Sequence, residues 1–203
     1  MDAAKIQLST DELALVRDAE ILLTKNNIIS KVYALFGEIA GRVRDIAESQ
    51  WRDLPADVLS ISPKISKGEN YDGLPWVMLD YPRLFGREDI FALRLFFWWG
   101  NYFSLTLHLK GKYLDLYGKK LEKNIHLLGE KGFYLSVGMN EWRHEITEEH
   151  YISLSQPQPI SSAGRLSGND FCKLSVRISL EQWNEVISLA MGYYQLIFQI
   201  LES

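Results

Sequence analysis

The chain is short of the features that staple, anchor or strongly charge a protein. Cys172 is the only cysteine among 203 residues, which excludes an intrachain disulfide and leaves no Cys/His spacing that resembles a structural zinc site. A reducing compartment is the matching expectation. There is no basic surplus either. The formal charge is -4 and the sequence pI is near 5.6, which argues against general attraction to nucleic-acid phosphates or anionic membrane surfaces. Met1-Asp2-Ala3-Ala4-Lys5 lacks a basic segment followed by an apolar one, so nothing reads as a secretion signal and a cytoplasmic location is expected. Walker, G-x-G-x-x-G, G-x-S-x-G and kinase-type motifs are all missing, and no cofactor or metal is expected.

An uninterrupted apolar run of membrane-spanning length is also lacking. Ile90 to Lys110 comes nearest, but Arg94, Gly100-Asn101, His108 and Lys110 interrupt it, and two β-strands joined by a turn explain it better. What the chain does have is 47% apolar and 12% aromatic residues, enough for a sizeable packed core. Residues 1–203 are expected to form a single globular α+β domain, with a homodimer possible because an apolar stripe reads the same whether it packs internally or against a second copy.

Periodicity supplies the elements. Ser9-Thr10-Asp11-Glu12 has the form of a capping box and predicts a helix start. Ile29, Val32, Phe36, Ile39, Val43 and Ile46 recur at steps of three and four, which predicts one long helix, bent if anywhere at Lys25-Asn26-Asn27, lying across a sheet. Val58 to Ile61 and Trp76 to Tyr81 suit short strands, and Lys67 to Gly73 an exposed turn or loop. Asp72-Gly73 lacks the lysine that a ligase-type Lys-x-Asp-Gly signature requires, since Asn70 stands there.

Ile90 to Trp99 and Phe103 to Leu109 are the strongest strand candidates. A loop of odd length, Gly100-Asn101-Tyr102, sorts the hairpin into an apolar face and a mixed one, pairing Trp98 with Ser104, Phe96 with Thr106 and Arg94 with His108. Tyr113 to Leu128 reads as an amphipathic helix, Phe133 to Val137, Tyr151 to Leu154 and Phe171 to Leu180 as strands, and Glu181 onward as a helix. In the last strand, alternation of Cys172, Leu174, Val176 and Ile178 with Lys173, Ser175, Arg177 and Ser179 predicts one solvated face. The expected architecture is a mostly antiparallel sheet with a long N-terminal helix, a middle helix and a C-terminal helix packed mainly on one face.

Three chemistries can be weighed on this frame. Arg94, Phe96, Trp98, Thr106 and His108 share the mixed hairpin face, where a guanidinium beside aromatic rings could receive a small anionic ligand and His108 could serve as acid or base. Alternatively Arg94 is neutralised by an internal carboxylate such as Asp80. His144 and Glu148 are spaced as two metal ligands of a helix would be, but no third ligand is identifiable, and a solvated charged turn is the better account. The surplus of lysines from Lys110 to Lys131 beside Trp98 suits single-stranded nucleic acid, although no RNP-type strand accompanies it, so nucleic acid is unlikely on this pattern. With no complete catalytic constellation, the leading expectation is a non-enzymatic binding or protein-interaction module whose surface is the mixed hairpin face with the loop from Ser155 to Asp170.

Overall fold

A computed structural model describes residues 6–51, 54–155 and 170–203. Its centre is one seven-stranded sheet in which every adjacent pair is antiparallel. The strands are β1 (Lys64–Tyr71), β2 (Leu74–Phe85), β3 (Ile90–Trp98), β4 (Tyr102–Lys110), β5 (Tyr134–Ser136), β6 (Tyr151–Ser153) and β7 (Phe171–Ser179). Their spatial order is β1-β2-β3-β4-β7-β5-β6, so the last strand enters between β4 and β5. The helices are α1 (Thr10–Arg17), α2 (Ala19–Gln50), α3 (Ala56–Leu59), α4 (Lys112–Lys123), α5 (Ile125–Glu130) and, after a 3-10 turn, α6 (Val186–Glu202). The α+β class and the long N-terminal and C-terminal helices are as the periodicity predicts.

The capping box forms. Ser9 Oγ accepts from the Glu12 amide at 3.2 Å and Glu12 Oε2 accepts from the Ser9 amide at 2.7 Å. The long helix breaks at Asp18 rather than bending at Asn26-Asn27, because Asp18 leaves helical geometry and caps α2 by accepting from the Glu20 amide at 2.9 Å. From Ile29 onward α2 lies on the sheet, with Val32, Phe36, Ile39 and Val43 fully buried. α6 packs beside it through Val186, Ala190, Tyr194 and Ile197, and the Tyr194 hydroxyl donates to the Tyr81 carbonyl at 2.9 Å. Both helices close over Leu79, Leu93, Leu95, Leu105, Leu107 and Val176 on one face of the sheet. Among the described residues no helix is long and apolar enough to cross a membrane.

Several local expectations need correction. Val58 to Ile61 does not form a strand, since α3 occupies 56–59. There Val58 plugs the core, and Asp57 accepts from the Tyr113 hydroxyl at 2.8 Å and from Lys112 Nζ at 3.1 Å. Lys67 to Gly73 is not all loop, because β1 runs to Tyr71 and only Asp72-Gly73 turns. The middle helix is two, α4 and α5, broken at Asn124. The hairpin loop is odd but lies one residue earlier, at Trp99-Gly100-Asn101, and Trp98 pairs with Tyr102. Gly100, at φ 70, takes the turn position that wants the left-handed region, and the Asn101 amide closes the turn onto the Trp98 carbonyl at 3.1 Å. The pairing therefore differs by two residues, which leaves each side chain on its expected face.

Phe36 is fully buried edge-on to Phe103, so Phe36→Ala should cost about 3–5 kcal/mol in urea unfolding. Leu116→Ala, at an exposed position of α4, should change stability by no more than about 0.5 kcal/mol. Equal costs would mean that α2 does not seal the core.

Candidate functional site: a charged layer under a strap

The second face of the sheet is covered by a strap of chain. Residues 137–150, which join the edge pair β5 and β6, cross back over β7, β4 and β3 as far as Tyr71 at the end of β1. A strap of irregular backbone brings unpaired amides and carbonyls onto the sheet, and buried backbone groups require partners. The sheet supplies them. The Tyr102 hydroxyl accepts from the Ile146 amide at 2.8 Å, and Arg177 and Lys173 donate to the carbonyls of Ile146 and Arg143. The Tyr71 hydroxyl accepts from the His144 amide at 2.8 Å and donates to the Glu145 carboxylate, which Arg143 also engages.

All five residues expected on the mixed hairpin face do lie there. Arg94 grips Asp80 with two bonds, Nε to Oδ1 at 2.7 Å and Nη2 to Oδ2 at 3.2 Å, and its third nitrogen meets His144 Nε2 at 3.3 Å. His108 Nε2 meets Glu141 Oε2 at 3.2 Å, and Lys110 Nζ holds the other oxygen of Glu141 at 2.8 Å. Thr106 bonds Ser175 Oγ at 2.8 Å. Phe96 lies against the rings of Tyr71, Trp76 and His144, and Trp98 Nε1 donates to the Tyr71 carbonyl at 3.2 Å. Arg94 and His108 are not directly opposed, because Arg94 faces Thr106 and His108 faces Ala92 across the pair. The internal carboxylate Asp80 is thus the partner of Arg94.

Hydrogen-bond roles follow from chemistry. A guanidinium only donates, so His144 Nε2 must accept and the neutral ring carries its proton on Nδ1. A carboxylate only accepts, so His108 Nε2 must donate. Burial, with repulsion from the cations Lys173, Arg94 and Lys110, pushes His108 down to about 3. Burial together with Arg94 and Lys173 pushes His144 to about 2. Burial and the neighbouring Arg94 bring Lys173 down to about 7, against the opposing pull of Glu145 and Glu141. Both imidazoles are neutral at physiological pH and serve as fixed hydrogen-bonding groups.

The sequence reading places Lys173 and Ser175 on a solvated face and His144 in a solvated turn, and it does not single out Glu141 or Glu145, yet all five belong to the charged layer. The polar alternation of β7 marks a solvated face only towards its end, where Arg177 is exposed and Ser179 half-buried, for Lys173 is 2% exposed and Ser175 fully buried. β7 lies inside the sheet with the strap above it. Trp142, Arg143 and Thr147 to Glu149 are exposed as a solvated turn would be, while Glu145 and Ile146 between them are buried. His144 and Glu148 share no helix, and no group of three or more possible metal ligands occurs among the described residues. Cys172 is buried on the core face with its thiol pushed up to about 12 by burial. At the far end of the strap a cleft of about 680 Å³ is lined by Tyr134, Ile146, Thr147, Tyr151, Ser153 and Arg177. In it the Arg177 guanidinium is stacked near the Tyr102 and Tyr134 rings. Most of the loop expected from Ser155 to Asp170 lies outside the described residues.

Removing Arg94 alone should leave Asp80 buried without its counter-charge, so Arg94→Met should cost about 3–5 kcal/mol. The double variant Asp80→Leu/Arg94→Met should recover part of that loss in chemical denaturation. Additive losses would show that the two side chains are not energetically coupled.

The shifted groups also set a pH profile. A histidine with depressed folded pKa gives its full stabilisation above 6.5 and loses it as pH falls towards 3 for His108 and 2 for His144. Lys173, depressed from 10.5 to about 7, contributes a rise in stability between those two values and a constant term below 7. Denaturation midpoints measured against pH should therefore climb through both windows. His108→Asn should flatten the acid limb and Lys173→Met the alkaline one, and an unchanged slope in both variants would contradict the assignment. No protein-family model matches this chain, and no curated protein or solved structure matches it, so its role has to be argued from its own residues.

Proposed function

We propose that the protein is a non-enzymatic protein-interaction module, working in the cytoplasm, whose docking surface is its N-terminal helical arm. One observation carries the reading: every described residue from Ile6 to Thr24 is exposed, and eight of them are large and apolar. Soluble monomers rarely expose contiguous apolar surface beyond a few hundred Å², and larger patches mark interaction sites. The lone cysteine, buried and without a disulfide partner, suits a reducing compartment.

Less supports an enzyme acting on a small anionic ligand at Arg94 and His108. Arg94 is committed to Asp80 and His144. His108, held near 3, is a poor acid or base at neutral pH. Single-stranded nucleic acid has less support still, because Trp98 is buried and Lys120 is engaged by the Leu201 carbonyl at 2.6 Å.

A photo-reactive side chain in place of Val16 should, on irradiation in cells, give a discrete adduct with a protein. The same group in place of the exposed Lys119 should give none. Adducts at neither position would overturn the reading, and turnover of a substrate by the purified chain would overturn its non-enzymatic part.

A further inference from the structure

α1 has eight residues and none of them is buried. Isolated helices shorter than about 12–15 residues are marginal in water, and a capping box contributes only about 1 kcal/mol. Nothing among the described residues covers α1, and its exposed apolar side chains mark where a partner would sit. Ile6 is 83% exposed, Val16 72% and Leu23 67%. Leu8, Leu15 and Leu22 are spaced by sevens, and the same spacing continues through Ile29, Phe36 and Val43, which are buried against the sheet. Within α2 the stripe that seats the lower turns on the core continues up to Leu22, and beyond the break at Asp18 the side chains of Leu15 in α1 and Leu8 before its cap are exposed as well, with nothing among the described residues lying over them.

The arm selects among possible occupants. Between Ile6 and Ile28 it carries Asp11, Glu12, Asp18 and Glu20 against Arg17 and Lys25, and Lys25 is already paired with Glu69 at 2.7 Å. An acidic arm is repelled by anionic lipid, whereas surface-lying membrane helices are typically rich in Lys and Arg. A second copy fits better on two counts. The eight apolar residues expose on the order of 900 Å², close to the ~800 Å² that each partner contributes to a standard interface. The charges are also self-complementary when two α1 helices run antiparallel, because Arg17 in the last turn of one then lies beside Asp11 and Glu12 in the first turn of the other, with the helix dipoles opposed.

We propose that the arm is the two-fold interface of a homodimer, in which α1 and the first turns of α2 from each copy pack together as a four-helix cluster with Leu8, Leu15 and Leu22 at its centre. The proposal rests on the reading of the arm as an interaction surface and adds the identity of the partner. A two-fold interface uses the same patch on both copies, so one stripe completes both arms.

Sedimentation equilibrium of the purified full chain at micromolar concentration tests it. The expected mass is twice the 23.4 kDa of the chain. The variant Leu15→Glu/Leu22→Glu should sediment as a monomer with unchanged near-ultraviolet circular dichroism, since neither side chain is buried in the folded body. Ala14→Cys, near the centre of an antiparallel α1 pair, should oxidise to a covalent dimer, whereas Lys119→Cys on α4 should not. A dimer that survives Leu15→Glu/Leu22→Glu would overturn the assignment. So would a monomeric wild type, in any of three forms. If it co-floats with phosphatidylcholine vesicles, the arm belongs to a lipid surface. If the Val16 photo-adduct contains a different protein, the interaction reading stands and the homodimer falls. If there is no adduct at all, both fall.

Discussion

The Arg94–Asp80 pair is the constraint on which the covered face depends. A buried ion pair repays its desolvation only with good geometry and further hydrogen bonds. Here the two groups meet in a fork, and the remaining guanidinium nitrogen is directed at His144 on the strap. That third contact ties the charge balance of the sheet to the position of the strap. Once His144 is fixed, its backbone amide reaches Tyr71, Glu145 follows onto the same hydroxyl, and Ile146 is drawn down onto Tyr102 and Arg177. At the other end Glu141 does the same work between His108 and Lys110. The strap has almost no secondary structure of its own, and its course is dictated by which polar groups β3, β4 and β7 present to it.

This layer is costly chemistry. Two imidazoles held neutral and a lysine brought down to about 7 are groups whose charged forms burial penalises. Perturbed titration of this kind also occurs at catalytic sites, but there the shifted group faces a cavity. In this protein Lys173 spends its ammonium on the Arg143 carbonyl and lies 5.9 Å from the centre of the Tyr151 ring. The groups with shifted titration on this face are engaged by one another and by the strap.

How much of this was legible in the sequence depends on how local the determining force is. The hairpin faces were legible because side-chain parity in a strand is a local property, and even a misplaced loop leaves parity intact when the pairing moves by two. β1 was not, because Lys64 to Tyr71 is polar and contains Gly68, and an edge strand with one neighbour need not alternate. Lys173 and Ser175 carry the pattern of a wet face and are dry. What removes the water is a strap that arrives from elsewhere in the chain, and no window of residues around Lys173 contains that information. For His144 and Glu145 the difficulty is the reverse: a charged stretch before a strand reads as solvated until the cations and hydroxyls beneath it are known. The arm was half legible, in that its capping box and apolar residues are plain, but the periodicity is silent on whether the stripe finds its partner within the chain.

The two surfaces differ in how their side chains are satisfied. On the mixed face the groups able to do chemistry are turned inward and saturated by one another, while in the arm groups that ordinarily form a core are turned outward and saturated by nothing among the described residues. Both arrangements raise the free energy of the isolated chain. The first is compensated internally, residue by residue, through hydrogen bonds that can be named. The second has no compensation among the described residues, since α1 contributes no buried residue and the first turn of α2 is exposed throughout. α1 has a capping box and three exposed hydrophobic side chains, Leu13, Leu15 and Val16, and no buried one, which is why the proposed interaction is argued from the arm rather than from the charged layer.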